Sequence, residues 1–130
     1  MKLSILTATY NRAEYLNKIY ESILRNSEES NIEAEWIIID DGSTDNTEQE
    51  IEKIKKYNDG IKDLDNKIEI KNIYQTNQGK MAAINRGMEE VTGELIIDCD
   101  SDDYFTNDAF KIIERNISNL LCNQNLYALC

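Results

Sequence analysis

No histidine occurs in this chain of 130 residues, which removes the commonest general base and the usual serine and cysteine triads. Acid–base chemistry would have to rest on carboxylates. Proline is absent too, so no proline-rich linker divides the chain, and its length suits one domain with one core. The three cysteines, Cys99, Cys122 and Cys130, form no CxxC pair and are odd in number. Reduced thiols in a cytosolic setting are therefore expected. Basic residues are few, 14 against 25 acidic ones, for a formal charge of -11. With no basic stripe to neutralise phosphates, a duplex nucleic-acid partner is not expected. Apolar runs such as Trp36-Ile37-Ile38-Ile39 are too short to cross a bilayer. Met1 to Tyr10 lacks the apolar core and cleavage site of a secretory signal, so the Asn116-Ile117-Ser118 sequon is taken as chance.

What the chain does have is an apolar segment running straight into acid: Leu95-Ile96-Ile97-Asp98-Cys99-Asp100-Ser101-Asp102-Asp103. Four carboxylates in six residues repel one another unless a cation or an array of donors neutralises them. An oxygen-only donor set favours a hard ion, magnesium or manganese, over zinc. Magnesium completes its shell with water and phosphate oxygens, which points to a phosphorylated substrate. Acidic runs are commonly solvated loops. This one instead follows a buried strand, where open α/β sheets place their ligand crevices.

Strands are expected over Lys2–Ala8, Trp36–Asp40, Ile68–Tyr74 and Leu95–Cys99, with a fifth beginning in Asn125–Cys130. Between them, Leu16, Ile19, Tyr20, Ile23 and Leu24 mark a helix capped by Asn11 with Glu14 and ending near Asn26. Asp45, with Glu48, caps a second helix over Asn46–Tyr57, and Asn58–Asn66 reads as a polar loop. Ile84, Gly87, Met88 and Val91 define a third helix, broken by Gly93. Thr106 or Asn107 caps a fourth, with Phe110, Ile113, Ile117 and Leu120 inward. Strands alternating with helices imply right-handed crossovers and a mostly parallel α/β sheet flanked by helices. Three strand ends, Thr7 to Arg12, Asp40 to Asp45 and Asp98 to Asp103, should then meet on one edge. Arg12 and Arg86 read as surface charges, Gly42 as a positive-φ turn residue and Gly87 as a close helix–sheet contact.

The ordered set Ser4-Ile5-Leu6-Thr7-Ala8-Thr9-Tyr10-Asn11-Arg12, Ile38-Ile39-Asp40-Asp41-Gly42-Ser43-Thr44-Asp45, Asn77-Gln78-Gly79-Lys80 with Ala83, Asn85 and Gly87, and Gly93-Glu94 with Asp100-Ser101-Asp102-Asp103 resembles the family 2 glycosyltransferases of the Rossmann-like GT-A fold. Ala8 stands where that family usually has proline. The resemblance implies a sheet of order 3-2-1-4 with the fifth strand unplaced. It implies a single donor-binding domain over 1–130, truncated after the fifth strand, with the acceptor-binding part and the general base expected beyond Cys130. It implies a nucleoside-diphosphate sugar, most often a UDP-sugar, as donor, a glycan or lipid-linked acceptor, and a role in cell-surface polysaccharide synthesis. A cytoplasmic location, at the inner face of the membrane, goes with it. Carried over by position, Ala8 and Thr9 give backbone around the base and Tyr10 a stacking or edge contact. Asp41, or Asp40, accepts from the base N–H; Lys80 lies near base or diphosphate, and Asp100 near ribose or metal. Asp102 is the main ligand for Mn2+ or Mg2+, and Asp103 shares that role or not according to how the DSDD run is divided. Reaction is expected by direct displacement with inversion.

Other classes compete. A truncated, non-catalytic nucleotide-sugar module fits the same motifs. A phosphotransferase using Asp98 as nucleophile is suggested by Asp98-Cys99-Asp100, though here that motif falls on the fourth strand and not the first. A calcium loop over Asp98, Asp100 and Asp102 is rejected, because Asp103 stands where the sharp-turn glycine belongs and Ala109 where the bidentate glutamate belongs.

Overall fold

A computed structural model of the chain describes residues 1–61, 68–122 and 128–129. Strands β1 (Lys2–Thr9), β2 (Glu33–Asp40), β3 (Ile68–Tyr74), β4 (Leu95–Asp98) and β5 (Ala128–Leu129) alternate with helices α1 (Ala13–Glu28), α2 (Thr47–Gly60), α3 (Lys80–Met88) and α4 (Ala109–Cys122). All pairings are parallel, in the order β3-β2-β1-β4-β5. The expected order is thus observed, and the fifth strand lies outside β4. Of its expected span, 125–127 and 130 lie outside the described residues, as do 62–66 of the expected loop and the side chain of Leu120.

Parallel strands are covered on both faces, and their near-continuous apolar runs reflect this. The covering here is unequal. Leu3, Ile5, Trp36, Ile38 and Ile97 face a large core closed by Leu16, Ile19 and Ile23 of α1, Ile51 and Ile54 of α2, and Phe110 of α4. Leu6, Ile37 and Ile39 face the other side, where Ala83 of α3 completes a much smaller core. At Gly87 an added Cβ would lie 2.6 Å from Ile39 Cδ1, so a side chain here would require Ile39 to shift where α3 approaches the sheet.

Strand β2 starts three residues earlier than expected. Glu35 is fully buried in it, yet accepts from Ser4 Oγ at 2.5 Å, Thr92 N at 2.7 Å and Thr92 Oγ1 at 2.9 Å, with Lys71 Nζ at 3.0 Å. A buried charge that is fully paired need not end a strand. These donors, opposing the effect of burial, hold its carboxyl at about 2, below the ordinary 4.5.

At the starts of α1 and α4, backbone amides find side-chain acceptors from elsewhere in the chain. Asn11 does not cap α1. It has φ +51, and its Oδ1 accepts from Thr44 N at 2.8 Å and Asp45 N at 3.2 Å. Asp45 stands one residue ahead of Asn46, the N-cap of α2, and is not itself the cap; its Oδ1 accepts from Thr47 N at 3.0 Å, while its Oδ2 takes Ala13 N, the first of α1, at 3.4 Å. Neither Thr106 nor Asn107 caps α4; Asn26 of α1 does, its Oδ1 accepting from Phe110 N at 3.0 Å. Helix α1 runs on to Glu28, α2 to Gly60, and α3 stops at Met88, so Val91 follows the helix and Gly93 does not break it.

Candidate functional site

At the carboxyl edge of the sheet four loops are lashed together in series. The β1 loop holds the β2 loop through Asn11 Oδ1 and through Asn11 N, which donates to Ser43 Oγ at 2.9 Å. Gly42, at φ +81, lies against the β3 loop so closely that a Cβ would be 2.8 Å from Asn77 N. Asp41 then binds that loop three times: its Oδ1 accepts from Gln75 Nε2 at 2.9 Å and Gln78 N at 2.8 Å, and its Oδ2 from Gly79 N at 3.0 Å. Burial would raise the Asp41 carboxyl, but these three donors outweigh it and lower it below the usual range. It stays ionised.

The β4 loop joins through charge. Lys80, first residue of α3, pairs with Asp100 Oδ1, and Arg12 Nη1 lies 3.9 Å from Asp102 Oδ2. Pairing with Asp100 raises the Lys80 ammonium above its ordinary value. Both pairs are about half exposed, so they contribute little to stability. Their effect is to place cations beside the acids. Behind the loop, Ser22 Oγ accepts from Phe105 N at 3.1 Å, Asn26 Nδ2 donates to Thr106 O at 2.9 Å, and Arg25 Nη1 donates to Asn107 Oδ1 at 2.6 Å. The Lys18 ammonium sits 4.3 Å from the Tyr104 ring centre. Helix α1 thereby pins the segment that follows the acids.

These loops enclose an open cavity of about 340 Å³ lined by Ala8, Thr9, Tyr10, Arg12, Asp41, Lys80, Asp100, Ser101 and Asp102. Seven of the eight residues expected from sequence line it; Asp103 does not, but joins Asp100 and Asp102 in a group whose ligand oxygens lie within 4.8 Å of one another. Arg12 and Ser101, which lie in the strand-end segments expected to converge but without an expected role, line it too. Asp40 is held apart from the cavity, its Oδ1 accepting from Ser43 N at 2.9 Å, which favours Asp41 as the ligand-facing acid of the pair. Tyr10 is 45% exposed, leaving an aromatic surface available to a planar ligand. The Thr9 hydroxyl is buried without a hydrogen-bond partner, a position a ligand could satisfy.

The acidic group suits a hard divalent cation. It offers three carboxylates, and its one neighbouring thiol, Cys99, is fully buried. Asp98, exposed at the end of β4, has its carboxyl raised, chiefly by desolvation, and does not line the cavity.

The Rossmann-like parallel sheet, with an acid-rimmed cavity on its carboxyl edge, shares the GT-A fold of glycosyltransferases of known structure. Residues 4–120 match Glycosyl transferase family 2, and the chain belongs to that family. An uncharacterised glycosyltransferase of Nostoc is 35% identical over 103 residues, covering 79% of this chain and 29% of that protein. The poly(ribitol-phosphate) beta-N-acetylglucosaminyltransferase TarS of Staphylococcus aureus is 30% identical over 113 residues, 85% of this chain and 18% of TarS. The crystal structure of TarS 1-349 in complex with UDP-GlcNAc superposes with a TM-score of 0.71 at 29% identity, over 92% of this chain and 32% of that one. The mannosyltransferase PcManGT of Pyrobaculum calidifontis, in complex with GDP-Man and Mn2+, shares the fold with a TM-score of 0.64 at 20% identity. Among such curated relatives the chain spans 18% to 48% of their length.

Proposed function

We propose that residues 1–130 form the donor-binding domain of an inverting, metal-dependent glycosyltransferase that uses a UDP-sugar. The observation that supports it is the cavity itself: an exposed tyrosine, an ionised buried aspartate, a lysine and three clustered carboxylates, delivered by four loops to one edge. Its volume falls within the ordinary range of small-ligand sites. TarS, bound to UDP and to UDP-GlcNAc in its crystal structures, makes a UDP-sugar the first donor to test.

In this reading Tyr10 offers the base a stacking face worth roughly 1–3 kcal/mol, and Asp41 accepts its N–H. Lys80 and Arg12 carry positive charge toward the diphosphate, releasing Asp100 and Asp102 to the ribose and the cation. Asp102, Asp100 and Asp103 would hold Mn2+ or Mg2+. The metal, when bound, stabilises the charge that grows on the leaving diphosphate. Inversion by direct attack of an acceptor hydroxyl needs no covalent intermediate on the protein. The general base and the surface for a glycan or lipid-linked acceptor would come from chain outside these residues, in line with the greater length of the relatives. Work at a cytoplasmic membrane face in cell-surface polysaccharide synthesis belongs to the same proposal.

Calorimetry with UDP and MnCl2 tests the donor site. Binding should require the metal and fall at least about tenfold in Asp102→Asn, since a charge-assisted ligand is lost. Metal-independent binding equal in wild type and variant would reject the site.

A further inference from the structure

Asp41 lines the cavity, but most of its bonding capacity is already used inside the protein. An ionised carboxylate offers about four lone-pair positions. Oδ1 fills two with Gln75 Nε2 and Gln78 N, and Oδ2 fills one with Gly79 N. One position on Oδ2 is left for a ligand. Two of the three donors are backbone groups that cannot vary with sequence; Gln75 alone is a side chain. Its backbone is fixed as well, because Gln75 N donates to Asp40 O at 2.9 Å and so prolongs the β2–β3 ladder by one residue.

We propose that Gln75 is a specificity-positioning residue: by occupying Oδ1 it leaves Asp41 one outward acceptor, so the pocket selects a base with a ring N–H over one with a bare ring nitrogen. The inference rests on the reading that Asp41 receives the base of the donor. Uracil and cytosine test it cleanly, since they have the same ring and differ at this edge. Uracil presents N3–H to the free position on Oδ2. Cytosine presents the N3 lone pair, and two acceptors then face each other without a proton between them. With N3 held opposite Oδ2, its neighbouring amino group would need a second free acceptor on the same carboxylate. Gln75 removes that acceptor, and without Gln75 the carboxylate regains it.

The experiment titrates the full chain with UDP and with CDP at one fixed MnCl2 concentration, for wild type, Gln75→Met and Gln75→Ala, with circular dichroism melts alongside. Methionine keeps the length of glutamine without the donor, and alanine provides a second variant should one not fold. Wild type should prefer UDP by about tenfold or more, the value of one buried hydrogen bond. In either folded variant the UDP:CDP ratio should shrink several-fold, mainly because CDP binds better. A ratio that stays at the wild-type value, or a fall in both affinities by the same factor, makes Gln75 a merely structural residue and overturns the inference while leaving the donor site intact. A wild type that binds neither nucleotide removes the donor reading and this inference together, and one that binds both equally overturns this inference alone.

Discussion

Single polar side chains do two jobs each in this molecule. Asp45 supplies the first amide of two helices with an acceptor, Asn11 bridges two loops, and Glu35 gathers three hydrogen bonds and an ammonium in the sheet interior. Glu35 yields a prediction with a sign. Its folded value, about 2, lies below the ordinary 4.5, so its contribution to stability is complete above about pH 4.5 and disappears as pH falls toward 2. Glu35→Gln should cost about 1–3 kcal/mol in urea unfolding at neutral pH. The same variant should flatten the pH dependence of unfolding across that acid range, and an unchanged slope would refute the network. The candidate residues that line the cavity were legible through the motifs that carry the family resemblance, most of them at or directly after the ends of β1, β2 and β4, with Lys80 further along the chain past β3. Arg12 was not, since a lone arginine after a turn carries no signal of the acid it faces. Glu35 was misleading for the opposite reason: an acid ahead of Trp36 suggests a strand boundary until its partners 31 and 57 residues away are seen.

Elements show where sequence periodicity suffices and where it fails. The apolar face of α1 was readable from Leu16 to Leu24, and alternation gave the parallel sheet, whereas the strand order came from the family resemblance. Helix ends were poorly read, because local capping rules assume the nearest polar side chain, whereas this fold caps α4 from α1, 84 residues away. A trace of this existed in the sequence: Ser22 and Asn26, four apart and flanking Ile23 on an otherwise apolar side, are polar residues placed to be buried. Asn26→Ala should lower stability by about 1–2 kcal/mol through the lost cap and the lost bond to Thr106 O. It should also weaken metal-dependent UDP binding, because the segment after Asp103 loses its anchor. Urea unfolding and calorimetry on the one variant read both effects, and UDP affinity equal to wild type would show that α1 does not govern the acidic loop.

On the scale of the whole molecule, the two edges of the sheet are specialised. The amino edge carries Glu35 with Ser4, Lys71 and Thr92, and Gly93 N donates to Ser4 Oγ at 2.8 Å, which ties the lead-in to β4 onto β1. The carboxyl edge carries the cavity and the exposed acids. Substitutions at the first should alter stability with little change in nucleotide affinity, and those at the cavity the reverse. The serial lashing of the loops after β1, β2 and β3 also has a kinetic meaning. The amides of Thr44 and Asp45 rest on Asn11, and those of Gln78 and Gly79 on Asp41, so no one of these loops can open without stripping acceptors from the next. In deuterated water the four amides should exchange as one cooperative unit, with a common opening free energy below that of the central strands; Asn11→Ala should accelerate exchange at Gln78 and Gly79 although it touches neither.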